Sequence, residues 1–145
     1  MIKVLFICHG NICRSPMAEF VMKEKVRLAG AEERFEIASA ATSTEEIGNP
    51  VYPPAKRVLA EHGISCGGKT ARRITAGDYR HYDLLIGMDQ RNMINMRRFF
   101  GGDPEEKLRM LLPDREVDDP WYSGDFRQTW EDVNEGCDAL LRQLL

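Results

Sequence analysis

Residues 2–16 read IKVLFICHGNICRSP, and the rest of the chain is best understood from this stretch. Ile2–Ile7 is a nearly continuous apolar run of β-forming residues, which is typical of a buried parallel strand. Ser15-Pro16 fits the N-cap and the first position of a helix. The residues between them therefore lie at a strand-to-helix junction, where backbone N–H groups converge and the helix dipole is positive. We expect an anion-binding site at this junction.

The remaining sequence alternates between strand and helix patterns. After the first strand, the predicted elements are a helix from Pro16 to Gly30, a strand at Phe35–Ala40, a helix from Pro53 to Gly63, a strand at Leu84–Ile86, a helix at Gln90–Phe100, a strand at Leu108–Leu112, a loop at Pro113–Gly124 and a helix from Phe126 to the C-terminus. This order predicts an α/β fold, a three-layer sandwich with a four-stranded parallel sheet and helices on both faces, as a single domain over residues 1–145. Ligands of such sheets bind beyond the carboxyl ends of the strands.

Composition limits the classes of function. The 145 residues carry a net charge of −3, so binding to nucleic acid through overall charge is not expected. No apolar run approaches the length of about 20 residues that a membrane span needs. The four cysteines show neither a disulfide framework nor a zinc spacing, and no metal or other cofactor is expected. A reducing cytoplasm is the expected location.

The junction combines a nucleophile with an anion clamp. A thiolate is the reactive form of cysteine, and helix N-termini favour it, which suits Cys8. The planar guanidinium of Arg14 matches two phosphoryl oxygens. Gly10 permits close backbone approach, while Asn11 and Ser15 can hold the loop by hydrogen bonds. The combination indicates thiolate attack on phosphorus. A bare C-x5-R spacing also arises by chance, and a cysteine at a strand end often only packs.

The loop resembles that of the low-molecular-weight protein-tyrosine phosphatases, which reads C-x-G-N-x-C-R-S. The matching positions are Cys8, Gly10, Asn11, Cys13, Arg14 and Ser15. The resemblance extends over the whole chain. It implies a cysteinyl-phosphate intermediate, an acid from a distal Asp-Pro and a reversible disulfide between Cys13 and the nucleophile. It also implies phosphotyrosine proteins as partners, a tyrosine kinase among them, and a monomer or weak dimer.

Asp119-Pro120-Trp121-Tyr122 is similar to the family's D-P-aromatic-aromatic motif. Asp119 is therefore the expected general acid, which would later activate water. The alternative is a solvated acidic turn, and Asp118 is the less favoured acid. Trp121 and Tyr122 are expected to wall the pocket around a phenyl ring rather than to lie in the core.

Three further residues are expected to contact substrate at the pocket rim. Glu45 stands where the family often has an aromatic residue, which predicts an open, acidic rim that disfavours acidic peptides, although a solvated charged loop is equally compatible. Ile12 should narrow the pocket and favour flat aryl groups. His9 is expected to line the pocket mouth and to add positive charge at acidic pH.

Supporting residues are also implied by the resemblance. Ser39 and His62 should join Asn11 and Ser15 in a hydrogen-bond network, and Asp89 should brace the site from a strand end. The alternatives are a core histidine at His62 and a helix cap at Asp89.

Other functions stay open on the sequence alone. A protein-arginine phosphatase shares the scaffold but carries Thr where Ile12 stands. A thioredoxin-coupled arsenate reductase needs two further cysteines, and the segment from Leu84 to Arg98 has none. A phosphocarrier or phosphate-binding module must not hydrolyse its own intermediate, which Arg14 and Asp119 would promote.

Overall fold

The computed structural model describes residues 1–145 and contains one four-stranded sheet surrounded by helices. In chain order the elements are β1 (Ile2–Cys8), α1 (Arg14–Leu28), a 3₁₀ turn (Glu32–Arg34), β2 (Phe35–Ala41), α2 (Pro53–Glu61), α3 (Ala76–His81), β3 (Leu84–Gly87), α4 (Gln90–Phe100), β4 (Leu108–Met110), α5 (Pro120–Ser123) and α6 (Phe126–Leu144). Every strand pairing is parallel, in the order β2-β1-β3-β4. The predicted α/β fold is confirmed. None of the helices has the length and apolar character required to cross a bilayer.

The central strand β1 is buried on both faces, because its side chains alternate between two apolar cores. Val4 and Phe6 pack in a cluster with residues of α1, α2 and α6. Leu5 and Ile7 pack in a second cluster with residues of α3 and α4. Helices therefore cover both faces of the sheet, as predicted, and the continuous apolar run of the sequence is explained by this double burial.

Helix α1 begins earlier than the sequence predicted. The N–H of Met17 donates to the carbonyl oxygen of Cys13 at 3.1 Å, which makes Cys13 the N-cap. The hydroxyl of Ser15 does not cap the helix, because it is engaged with Asn11 and Cys8. The predicted N-cap at Ser15 is therefore wrong. Pro16 still lies in the first turn, where a missing N–H leaves no helical bond unmade.

The predicted loop at Pro113–Gly124 contains the single helical turn α5. The Asp119 carboxylate accepts the N–H of Trp121 at 3.0 Å, and Gly124 ends the turn with a φ of 74°. An aspartate cap, a proline in the first turn and a terminal glycine together explain why this short segment is helical.

Two other differences have local causes. Helix α3 was not predicted, and a capping box between Thr75 and Asp78 stabilises its start. Strand β4 ends at Met110, because the N–H of Leu111 already bonds to Gly87, the last residue of β3. Leu112 therefore has no strand residue left to pair with.

The carboxyl ends of β1 and β3 meet at one edge of the sheet. Cys8 ends β1 beside Ala41, the last residue of β2. Asp89 follows β3 and caps α4, accepting the N–H of Asn92 at 2.7 Å. This edge brings together groups that are more than 75 residues apart in the chain.

Candidate active site

The loop after β1 wraps its backbone around the Cys8 sulfur. Asn11 has a φ of 59° and is 1% exposed. Asparagine is among the few residues that tolerate this left-handed conformation, which is costly for most others. The conformation directs the Asn11 N–H at Cys8 Sγ, 3.3 Å away. Strained backbone of this kind is concentrated at functional sites, because the surrounding contacts must hold it in place.

The side chain of Asn11 fixes the direction of a buried hydrogen-bond chain. Its amide nitrogen donates to Ser15 Oγ at 2.7 Å and to Ser39 Oγ at 2.9 Å. Since Ser15 Oγ accepts from Asn11, its own hydrogen is free to be donated to Cys8 Sγ, 3.0 Å away. Donation to a sulfur stabilises the thiolate over the thiol. The predicted contacts of Asn11, Ser15 and Ser39 are thus present.

Glu19, which the sequence analysis missed, is the last member of this hydrogen-bond chain. It is 4% exposed and accepts the Ser39 hydroxyl hydrogen at 2.6 Å. Lys23 Nζ at 2.6 Å and Lys69 Nζ at 3.6 Å offset its charge. Burial lowers the pKa of Lys69, and the Glu19 carboxylate partly opposes that effect. Glu19 lies one helical turn after Ser15, and this spacing was the sequence signal available for it.

Arg14 is held so that one edge of its guanidinium stays free. Its Nη1 donates to Asp89 Oδ2 at 2.7 Å and to the carbonyl oxygen of Val117 at 2.8 Å. Burial alone would lower the pKa of Arg14, but the charges of Cys8 and Asp89 raise it above its ordinary value, so the group is charged. The Nε–H makes no hydrogen bond within the chain, and one Nη2–H also remains. Two parallel donors can therefore bind two oxygens of a phosphoryl group.

Asp119 lies beside the Arg14 guanidinium, and its two carboxylate oxygens have different contacts. Oδ1 accepts the backbone N–H of Trp121. Oδ2 lies 3.5 Å from Arg14 Nη2. An anion bound to Arg14 would compete for this contact and leave Oδ2 facing the bound group. The oxygen that faces the anion site is therefore the one suited to proton transfer.

The predicted catalytic and substrate-binding residues lie together around one cavity of about 120 Å³. Only Ser15 is absent from its lining, since it lies beneath Cys8 with no exposed surface. Glu46 is the one lining residue that was not predicted. The predicted residues that line the cavity are Cys8, His9, Gly10, Asn11, Ile12, Cys13, Arg14, Glu45, Asp119, Trp121 and Tyr122.

Aromatic and charged side chains form the mouth of this cavity. Trp121 is 53% and Tyr122 is 85% exposed, which excludes a role in the core. Tyr52, another residue the sequence analysis missed, supports Trp121 with ring centroids 4.9 Å apart. His9 Nε2 and Glu45 Oε2 are 3.1 Å apart at the rim, so these two predicted residues contact each other.

His62 is placed differently from the prediction. It is exposed at the end of α2 and stacks on Trp130, with ring centroids 3.5 Å apart. It therefore does not join the network of Asn11, Ser15 and Ser39, and the expected role is wrong. The network position is filled by Glu19 and Lys69, because α1 and the segment after α2 pass directly beneath Ser39. The alternative of a core histidine at His62 is also excluded by its exposure.

Asp89 combines the two roles that the sequence left open, since it bonds to Arg14 and also caps α4. Cys13 is a free thiol, as is Cys8. Burial, with the nearby charges of Cys8 and Asp119, raises the pKa of Cys13 to about 12. Cys13 is thus protonated at neutral pH and is not a competing nucleophile.

Comparison with known proteins agrees with this geometry. Residues 3–145 match the family described as low molecular weight phosphotyrosine protein phosphatase. A low molecular weight protein-tyrosine-phosphatase of Bacillus subtilis, YfkJ, is 35% identical, covering 99% of this chain and 96% of that protein. A low molecular weight phosphotyrosine protein phosphatase of Gallus gallus is also 35% identical, covering 97% and 94% of the two chains.

Solved structures show the same likeness. The crystal structure of YfkJ superposes with a TM-score of 0.95 at 34% identity, covering 99% of this chain and 94% of that one. The low molecular weight protein tyrosine phosphatase of Streptococcus pyogenes gives a TM-score of 0.93 at 38% identity, covering 100% and 94%. Because the match spans nearly the whole chain in sequence and in structure, the protein belongs to the low molecular weight phosphotyrosine protein phosphatases, which are phosphoric monoester hydrolases.

Proposed function

We propose that this chain hydrolyses phosphotyrosine in proteins, with Cys8 as nucleophile, Arg14 as phosphate clamp and Asp119 as general acid and base. The observation that carries the proposal is the position of Cys8 Sγ. It receives the Asn11 N–H and the Ser15 hydroxyl beside the free edge of Arg14. A thiolate held next to two unpaired guanidinium N–H groups is suited to attack a phosphoryl group that those groups bind.

The reaction has two steps. Cys8 Sγ forms a bond to phosphorus while the bond from phosphorus to the tyrosine oxygen breaks, and Asp119 Oδ2 donates its proton to that oxygen. Asp119, now ionised, then takes a proton from water as the water oxygen attacks phosphorus. The sulfur–phosphorus bond breaks, inorganic phosphate leaves, and the Ser15 hydroxyl stabilises the departing thiolate.

The cavity walls favour an aryl phosphate. Ile12 is 8% exposed and packs with Cys13 and Ala71, so its side chain is a fixed wall. Trp121 and Tyr122 supply aromatic surface at the mouth of the cavity. A flat phenyl ring can be buried between such surfaces, and the phosphoryl group then reaches the loop.

The proposed setting is the reducing cytoplasm, where a catalytic thiol stays free, and all four cysteines are free thiols here. The proposed partners are tyrosine-phosphorylated proteins, a tyrosine kinase among them. The proposed assembly is a monomer or weak dimer.

A comparison of phosphopeptides tests the proposal. The purified protein should release phosphate from phosphotyrosine peptides, be inhibited by vanadate, and lose turnover in Cys8→Ser. Phosphoarginine peptides of the same sequence should be much poorer substrates, because Ile12 and the aromatic walls suit a flat ring. Faster release from phosphoarginine would assign an arginine phosphatase. Tight phosphate binding without turnover would assign a binding module.

A further inference from the structure

A second cavity of about 300 Å³ adjoins the catalytic one, and His9 lines both. We call it the arginine cavity, and its polar walls are formed by Thr42, Ser43, Arg73, Asn95 and Arg98. Phe99 is its only large apolar residue. No acidic side chain lines it, whereas Glu45, Glu46 and Asp119 line the catalytic cavity.

The two arginines of this cavity have no carboxylate partners. Arg73 uses only its Nε, which donates to the carbonyl oxygen of Thr42 at 3.3 Å, while its guanidinium lies 5.1 Å from the centre of the Phe99 ring. Arg98 makes no ion pair or side-chain hydrogen bond. Arg14, Arg72 and Arg115, by contrast, each form an ion pair with a carboxylate. The guanidinium donors of Arg73 and Arg98 are therefore available to an anion.

One polar group in the lining of the arginine cavity also has no hydrogen-bond partner. The hydroxyl oxygen of Thr42 is buried and makes no hydrogen bond. A buried hydroxyl without a partner costs free energy. The Asn95 side chain likewise makes no hydrogen bond within the chain. Polar side chains from three parts of the chain thus line one space.

Backbone hydrogen bonds fix the position of the arginine cavity relative to the catalytic loop. The N–H of Thr42 donates to the carbonyl oxygen of Cys8 at 3.0 Å, and the N–H of Ser43 donates to that of His9 at 3.1 Å. Arg98 lies on α4, whose cap Asp89 bonds to Arg14. A group bound there is therefore held at a constant offset from the phosphoryl group on Cys8.

From this we infer that the arginine cavity is a substrate subsite for an anionic side chain, a carboxylate or a second phosphoryl group, that lies close to the phosphotyrosine in the same peptide. The inference rests on the proposed phosphotyrosine hydrolysis. Because His9 lines both cavities and an extended peptide advances about 3.3–3.6 Å per residue, the positions to test are those within about three residues on either side of the phosphotyrosine. Net charge alone would not suggest this preference, because the chain is acidic overall.

The test is a panel of neutral phosphotyrosine peptides that carry one Glu, one Gln or one phosphoserine at each position within this range. At low ionic strength, kcat/KM at one or two positions should be about fivefold higher for Glu than for Gln, and the preference should shrink in high salt. Arg73→Gln and Arg98→Gln together should bring the Glu-to-Gln ratio close to one. Arg91→Gln, which removes an exposed charge from α4 outside the cavity, should leave the ratio as it is.

The outcomes separate the subsite from the underlying activity. A larger gain with phosphoserine than with Glu assigns a phosphoryl occupant, and the reverse assigns a carboxylate. Equal kcat/KM for Glu and Gln at every position overturns the subsite, as does a preference that survives in the double variant or is lost equally in Arg91→Gln. No turnover of any peptide, the neutral Gln series included, would instead overturn the proposed hydrolysis.

Discussion

At the scale of single residues, Asp119 has the most specific proposed role, which is that of general acid and base. Asp119→Asn removes the proton donor but keeps an oxygen that can accept the Trp121 N–H. We expect kcat/KM for aryl phosphates with poor leaving groups to fall by about 10²–10³-fold, because those leaving groups need the proton most. Activated aryl phosphates should lose much less. A series of substituted phenyl phosphates measures the difference.

Asp118→Asn is the matched control, because it removes the neighbouring carboxylate outside the cavity lining. It should leave the dependence on the leaving group unchanged. If Asp118→Asn instead shows the steep dependence and Asp119→Asn does not, the acid has been assigned to the wrong residue of the pair.

Ser39 tests the buried hydrogen-bond chain. Ser39→Ala leaves one Asn11 amide hydrogen and one Glu19 oxygen without their partner. Unsatisfied buried groups cost about 1–3 kcal/mol, so the free energy of unfolding should fall by about that amount in urea titrations. The kcat should fall as well, because Asn11, which donates to Ser15 Oγ beneath Cys8, loses one of the bonds that hold its side chain in place. Ser65→Ala, at an exposed position, should change neither quantity. Unchanged stability and kcat in Ser39→Ala would show that this hydrogen-bond chain does not position Cys8.

Between elements, the packing of α6 against the end of β4 depends on Gly136. A Cβ built on Gly136 would lie 2.4 Å from Leu111 Cγ, and Leu111 is 3% exposed. Gly136→Ala should therefore destabilise the protein by about 1–3 kcal/mol through overpacking, although alanine favours the helix by about 1 kcal/mol. Thermal or urea unfolding measures the change. Gly77→Ala in α3 is the control, since its nearest neighbour lies at 3.8 Å, and it should be neutral or stabilising. A stabilised Gly136→Ala would mean that β4 and α6 adjust freely.

The order of the elements could be predicted from the sequence, and some of their ends could not. The apolar run at Ile2–Ile7 and the helical spacing from Phe126 each report burial directly, and both predictions hold. The start of α1 was misplaced because Ser15 is a good capping residue whose hydroxyl is used at Cys8 instead. Helix α3 was missed because six residues give too little periodicity to detect.

Over the whole molecule, the site divides into residues that share a motif and residues that only the fold brings near. Cys8 to Ser15 and Asp119 to Tyr122 are contiguous stretches, so their sequences could identify them. Glu19 lies on α1, and Lys69 and Tyr52 lie in the segments that flank α2, so no contiguous motif contains them. The spacing of Glu19 from Ser15 was the one sequence signal for this group. The role expected for His62 came from the resemblance to the family, but His62 lies at the end of α2 and its ring stacks on Trp130 instead.

The four thiols together give a prediction for the whole chain. All four cysteines are buried, but only Cys8 and Cys13 line the catalytic cavity. Burial raises the pKa of Cys13 and of Cys137 to about 12 each, so both are protonated at pH 7 and gain reactivity only as the pH rises toward 12. Iodoacetate at neutral pH should therefore label Cys8 alone in the folded protein, and vanadate should slow that labelling by occupying the cavity. Mass spectrometry of tryptic peptides locates the adduct, and urea-unfolded protein, in which all four cysteines should react, is the control. Labelling of Cys13 at a rate similar to Cys8 would contradict the division of the two thiols into nucleophile and protonated neighbour.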